Sequence, residues 1–268
     1  MEVQTEDGAG DDVAAQDVTQ DVTQDVTQDV TQEHIERALV IMAHLDDVDY
    51  GAAGTIATWT DQGIEVTYCL ITDGDAGGFD PAVDRADIAG LRRDEQRAAA
   101  KEVGVSDVRF LGYPDGQLEV SFALRRDLSR VIRQVRPQRL LMQTPEINWD
   151  RLASSHPDHR ASGEAALCAV YPDARNPFTH VELLRDEGLA AWTVHDVWVM
   201  VAGQGATTWV DVTDTFDRKL AALRRHASQT AHMADLEPMV RGWLSANAGA
   251  GGLGEGRLAE SFKVIRVP

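Results

Sequence analysis

Only two cysteines, Cys69 and Cys168, occur in 268 residues. They fall far apart in different predicted elements, so no disulfide framework organises this chain and two free thiols of a cytoplasmic protein are expected. Long hydrophobic runs are missing as well. Nothing approaches the roughly 18 apolar residues that span a bilayer, which speaks against a membrane protein. The amino terminus has neither the basic start nor the apolar stretch of a secretory signal. Basic residues are scarce, 25 against 44 acids, and form no stripe that could neutralise phosphates, so nucleic acid is not an expected partner.

The acidic excess is unevenly spread. Residues 1–33 hold ten acids and no Lys or Arg, which leaves the other 235 residues near −9 out of a total of −19. Within that segment "DVTQDVTQDVTQDVTQ" (17–32) repeats one tetrapeptide four times. Val18, Val22, Val26 and Val30 could make a weak helical stripe, but Thr and Asp are poor helix formers. An acidic, low-complexity, disordered leader over 1–33 is expected, followed by one domain over 34–268.

From residue 35 the pattern alternates. "ALVIMAH" (38–44), "EVTYCLITDG" (65–74), "DVRFLGY" (107–113) and "RLLMQT" (139–144) read as buried strands. Between and after them, helices are predicted over 51–63, 87–104, 122–137 and 159–171. Such alternation predicts an α/β fold, a Rossmann-like doubly wound, mostly parallel sheet. Past residue 190, "DVWVMVAG" and "TTWVDVTD" lie a short turn apart, as in a C-terminal antiparallel elaboration, and lead into a helix over 215–230.

Ligands bind beyond the carboxyl ends of the strands in open parallel sheets. Four charged loops follow the four strands: "HLDD" (44–47), "TDGDAGG" (72–78), "YPDG" (113–116) and "NWDRLASSHPDHR" (148–160). A hydrolytic zinc site takes three His and Asp/Glu ligands and leaves one position open. Here His44 with one of Asp46 and Asp47, and His156 with His159, offer two histidines and a carboxylate with one of each to spare. A spare carboxylate can take a proton from water and a spare imidazole can deliver one to a leaving group. Either motif alone is better read as a helix start, with an aspartate cap or with Pro157 in a first turn. Their joint occurrence at matching strand ends favours the metal.

"AHLDD" (43–47) and "HPDH" (156–159), with "TDGDAGG", "LRRDEQRAAAKEVGV", "LGYPDG" and "WVDVTDTFDRKLAALRRHASQ", resemble the PIG-L or LmbE-like family of zinc-dependent N-deacetylases acting on N-acetylglucosamine derivatives. The resemblance runs from about residue 37 to 230 and omits the last 35 or so. It implies one Zn2+ on His44, Asp47 and His159, Asp46 as general base and His156 as general acid. It further implies that Asp158 orients an imidazole, and that Arg92 (or Arg93) and Asp115 contact the sugar. Leu45 replaces the family's proline, which removes a fixed φ. Ser154 stands where some relatives carry an oxyanion-binding tyrosine.

The substrate implied is a small-molecule N-acetylglucosaminide, with a secondary-metabolite glycoside such as a glycopeptide-antibiotic pseudoaglycone preferred. Alternatives are a glucosaminyl-inositol thiol precursor, a non-sugar amide, and a catalytically silent sugar-binding protein. A homo-oligomer is compatible with the sequence. "GAGGLG" (249–254) fits a dinucleotide motif in letters only, since no predicted strand precedes it, and reads as a loop. Trp149 and Trp209 read as core or as sugar-stacking residues.

Overall fold

Strand β1 (Arg37–Met42) is apolar at every position after its first and buried on both sides, as a central parallel strand must be. Ala38, Val40 and Met42 face one core layer, while Leu39 and Ile41 face the other. The computed structural model describes residues 35–268, positions 81, 202 and 204 excepted. The expected leader over 1–33 lies outside the described residues.

After β1 the chain runs through α1 (Asp47–Gly51), α2 (Ala53–Asp61), β2 (Glu65–Thr72), α3 (Arg85–Glu102), β3 (Asp107–Tyr113), α4 (Phe122–Val135) and β4 (Arg139–Gln143). It continues with α5 (Pro157–Cys168), α6 (Val181–Arg185), β5 (Asp196–Met200) and β6 (Thr208–Asp211). Helices α7 (Phe216–Arg225), α8 (Ala227–Thr230) and α9 (Leu236–Ala250) precede β7 (Ala259–Arg266). Local chemistry fixes several boundaries. Asp84 and Ser121 cap α3 and α4 by accepting from Ala86 N and Leu124 N, and α4 stops at left-handed Arg136 before Pro137.

Among the described residues, seven strands form one sheet in the order β3-β2-β1-β4-β5-β7-β6. The first five are parallel, and β7 runs antiparallel to both β5 and β6. The doubly wound layout with an antiparallel end is therefore present, though not in the expected form. β5 and β6 do not pair; β7, drawn from the end of the chain, lies between them. The helix expected over 51–63 is also two helices that break at Ala52 and begin earlier, at Asp47.

Helices α2, α3 and α7 cover one face of the sheet, and α4 and α5 cover the other. Both cysteines are free thiols. No helix among the described residues is long and apolar enough to cross a membrane.

Candidate active site

The winding of the sheet reverses between β1 and β4, which are hydrogen-bonded neighbours from distant parts of the sequence. A crevice opens at such a switch point beyond the strand ends. His44 and Asp47 follow β1, and His156 and His159 follow β4 at the start of α5. Close approach of α5 depends on Gly163, where a Cβ would lie 2.5 Å from the Gln143 carbonyl oxygen. The two signatures are thereby brought together.

Their donor atoms form a tight triangle. His44 Nδ1 and His159 Nε2 face each other at 3.1 Å. Asp47 closes the triangle, with Oδ2 3.2 Å from His44 Nδ1 and Oδ1 3.0 Å from His159 Nε2. Donors about 2.0–2.1 Å from a tetrahedral ion stand roughly 3.3 Å from one another. Two imidazole nitrogens and a carboxylate that turns one oxygen to each of them are donor types that suit a divalent transition metal. Two other groups that could hold a metal ion share His44, one with His156 and His159 and the other with Asp115 and Asp158, their ligand atoms within 4.8 Å of one another.

Electrostatics agree with the geometry. Burial would depress the His44 pKa, yet the carboxylates of Asp47, Asp115 and Asp158 push it up to about 12. Burial works against the Asp47 carboxylate too, but His159 and His44 hold it well below the usual range. His159 is raised by Asp47 against its own burial. Carboxylates converging on one imidazole create a field that a cation would answer.

Around the triangle, other side chains are held in place. Asp47 Oδ2 accepts from His44 N at 2.7 Å and from Gln143 Nε2 at 2.9 Å, which leaves Oδ1 toward His159. Gln143 is itself fixed because its Oε1 accepts from Ala43 N at 2.8 Å. Such outer partners set ligand affinity. Gln143→Leu is expected to weaken divalent-metal binding about 10–100-fold, read by competition against a chelating dye. Unchanged affinity would mean that Asp47 is held without it.

His44 Nε2 lies 3.0 Å from Asp115 Oδ1 and 3.4 Å from Asp158 Oδ2, off the line of a well-aligned hydrogen bond. Asp158 accepts from Gly116 N and Leu118 N, tying the 113–116 turn to α5. His156 caps α5 through Nδ1, which accepts from Asp158 N at 3.1 Å. That bond leaves Nε2 as its free nitrogen. Partial burial and the nearby His44 lower the His156 pKa. The His156 ring stands 4.9 Å from that of His44 and 5.4 Å from that of His159.

Arg92, expected at the sugar, is only 3% exposed. Its guanidinium donates to Asp46 Oδ1 at 3.1 Å and to the Gly74 carbonyl at 2.9 Å. Added Cβ atoms at Gly74 and Gly77 would collide with it, so the glycines of "TDGDAGG" make room for an arginine that fixes Asp46. Arg93 instead pairs with Asp73. Asp115 is 8% exposed and sits against His44 rather than projecting into the crevice. Leu45, in the proline's place, is fully buried and anchors its loop by packing. The Ser154 hydroxyl donates to the Arg151 carbonyl.

Gln143 is a site residue that the sequence does not signal, whereas Ser228 and Gln229 close the run "WVDVTDTFDRKLAALRRHASQ" that resembles the family. Ser228 donates both N–H and hydroxyl to Glu95, and Gln229 donates to the Gly77 carbonyl, bracing the glycine loop from α8. A cavity of about 380 Å3 adjoins the triangle, lined at one side by Asp47 and His159 and at another by Trp243 and Asn247 of α9. Trp149 is 80% exposed, and Trp209 packs on Gly251; neither lines this cavity.

An open α/β sheet whose strand ends gather two imidazoles and a carboxylate, with a further Asp and His beside them, defines a class of candidate hydrolytic site, with donors that could hold a metal ion and groups that could move a proton. The comparisons narrow that class. Residues 39–170 match the family model of PIG-L, GlcNAc-PI de-N-acetylase. The chain is 32% identical to diacetylchitobiose deacetylase of Thermococcus kodakarensis, over 73% of this chain and 70% of that protein. It is 33% identical to a probable N-acetyl-alpha-D-glucosaminyl L-malate deacetylase 2 of Bacillus cereus, over 74% and 85%. Among solved structures, N,N'-diacetylchitobiose deacetylase from Pyrococcus horikoshii superposes with a TM-score of 0.79 at 29% identity, covering 87% of this chain and 84% of that one. The chain belongs to the PIG-L family of de-N-acetylases.

Proposed function

We propose that this chain is a zinc-dependent N-deacetylase that hydrolyses the acetamide of an N-acetylglucosaminyl small molecule, releasing acetate and a free amino sugar. The observation that carries the reading is the triangle of His44 Nδ1, His159 Nε2 and the Asp47 carboxylate beside a cavity, with Asp46 and His156 close in sequence to its members. Those three residues would hold the ion, which when bound supplies Lewis acidity toward a carbonyl and acidifies water.

The remaining chemistry falls to side chains. Asp46, its rotamer fixed by Arg92, accepts the proton of the attacking water on its carboxylate. His156 directs Nε2 at the reacting group because Nδ1 is engaged by Asp158 N. To act as the acid His156 takes up a second proton on Nδ1, which gives up the bond from Asp158 N, and the Nε2 proton of the resulting imidazolium stabilises the negative charge that develops on the acetamide oxygen. His156 then gives that proton to the departing nitrogen, without which an amine is a very poor leaving group.

Amine release from a panel tests the reading, with and without a chelator. The panel holds N-acetylglucosamine, N,N'-diacetylchitobiose, N-acetylglucosaminyl malate, N-acetylglucosaminyl inositol and a glycopeptide pseudoaglycone. Release that disappears on demetallation and returns with zinc is expected. Hydrolysis undiminished in fully demetallated protein would overturn it.

A further inference from the structure

The cavity beside the triangle is enclosed unequally. Toward β2 and β3, Arg92 and Asp115 are buried against Asp46 and His44 and do not line it. On another side the cavity wall is α9, a segment beyond the residues that match the family model. A group attached to an acetamide held at Asp47 and His159 and extending through this cavity meets α9.

That wall has a definite chemistry. Trp243 is half-buried, its ring 6.2 Å from Tyr50 and 5.6 Å from the guanidinium carbon of Arg151. Leu244, Met200 and Ile147 add apolar surface, and the Asn247 amide adds hydrogen-bonding capacity. Arg151 lines the same cavity as the carboxylates of Asp47, Glu146 and Glu260. A site for an acidic group would gather several cations; this one has a single arginine among three carboxylates. An indole flanked by apolar walls and a few amides instead suits a ring with C–H faces and hydroxyl edges.

We propose that Trp243 is a specificity-determining residue: its indole is the platform for a neutral second ring, a sugar or cyclitol, joined to the N-acetylglucosamine unit. Arg151 is displaced from the indole by that ring and donates to its hydroxyl oxygens. This rests on the deacetylase reading above and adds what the α9 side of the site selects.

Trp243→Ala, Trp243→Leu and Trp243→Phe, each checked for an unchanged thermal transition, are compared with the unaltered enzyme on three substrates. These are N-acetylglucosamine, N,N'-diacetylchitobiose and N-acetylglucosaminyl malate. The unaltered enzyme is expected to prefer the disaccharide. In Trp243→Ala and Trp243→Leu, its kcat/KM advantage over the monosaccharide should fall about tenfold, mostly through KM, while Trp243→Phe keeps most of it. An unaltered enzyme that favours the malate compound, or equal losses on all three substrates, overturns the platform. Binding of N,N'-diacetylchitobiose to Asp46→Asn, with and without Trp243→Ala, is measured by calorimetry in addition. A Kd unmoved by Trp243→Ala overturns the proposal even if no amine is released, whereas absent turnover with a Kd weakened about tenfold overturns only the deacetylase reading.

Discussion

Asp46→Asn is expected to keep its metal and lose about two to four orders of magnitude in turnover. Asparagine retains an oxygen for the Arg92 guanidinium, which now donates to Asp46 Oδ1 at 3.1 Å, so the loop has no reason to move. The triangle of His44, Asp47 and His159 is untouched by the change. What is lost is a carboxylate able to take up a proton. Asp47→Asn makes the contrast. There the neighbouring carboxylate is replaced in the triangle itself, and metal content is expected to fall together with activity. Metal analysis and amine release on both variants separate the roles. Asp46→Asn working at the unaltered rate, or arriving without metal, would remove Asp46 from the place assigned to it.

These two adjacent aspartates explain what was legible in the sequence. "AHLDD" and "HPDH" are each local, so residue type and spacing can be read without knowing the fold, and both follow strands whose apolar runs announce themselves. The supports are different. Glu95 meets Ser228 across 133 residues, and Gly77 meets Gln229 across 152. Gln143 reaches Asp47 across 96. None has a side chain that signals chemistry, and no periodicity links residues so far apart. Arg92 shows the same limit: its match to the family was visible, but its burial beneath Gly74 and Gly77 was not.

The sheet's far edge was misread for a related reason. Strands that are near in sequence usually pair, which suggested a hairpin of β5 and β6. "AESFKVIR" (259–266) was not read as a strand, yet it pairs with both of them. Its residues Phe262 and Trp198 of β5 pack 5.2 Å apart, centroid to centroid, within the same core layer as Val40 and Met42. Burial of those aromatic rings between α2 and the sheet outweighs the short connection. The end of the chain is thereby part of the core, and through Glu260 it reaches the site.

Lys219→Met should accordingly destabilise the protein by about 3–5 kcal/mol, because it breaks a buried ion pair from one side. Lys219 is fully buried and Glu260 is 1% exposed, with Nζ 2.7 Å from Oε1. Glu260 also accepts from Gly54 N and Thr55 N at the start of α2. Lys219 Nζ donates to the carbonyls of Asp49 and Tyr50 at the end of α1. Methionine fills the space of the stem but leaves a buried carboxylate and two carbonyls without their donor. For a domain of this size, each kcal/mol moves Tm by roughly 2–4 °C, so a fall of about 6–20 °C is expected in a thermal scan. Adding Glu260→Gln to Lys219→Met should return part of the loss, since the stranded charge is then gone. Because α1 carries Asp47 at one end and this tether at the other, metal affinity should fall with stability in the single variant. A single variant that melts within 2 °C of the unaltered protein, by this same reckoning about 1 kcal/mol, would show that α1 is held by the Asp49 pairing with His226 and Gln96 instead.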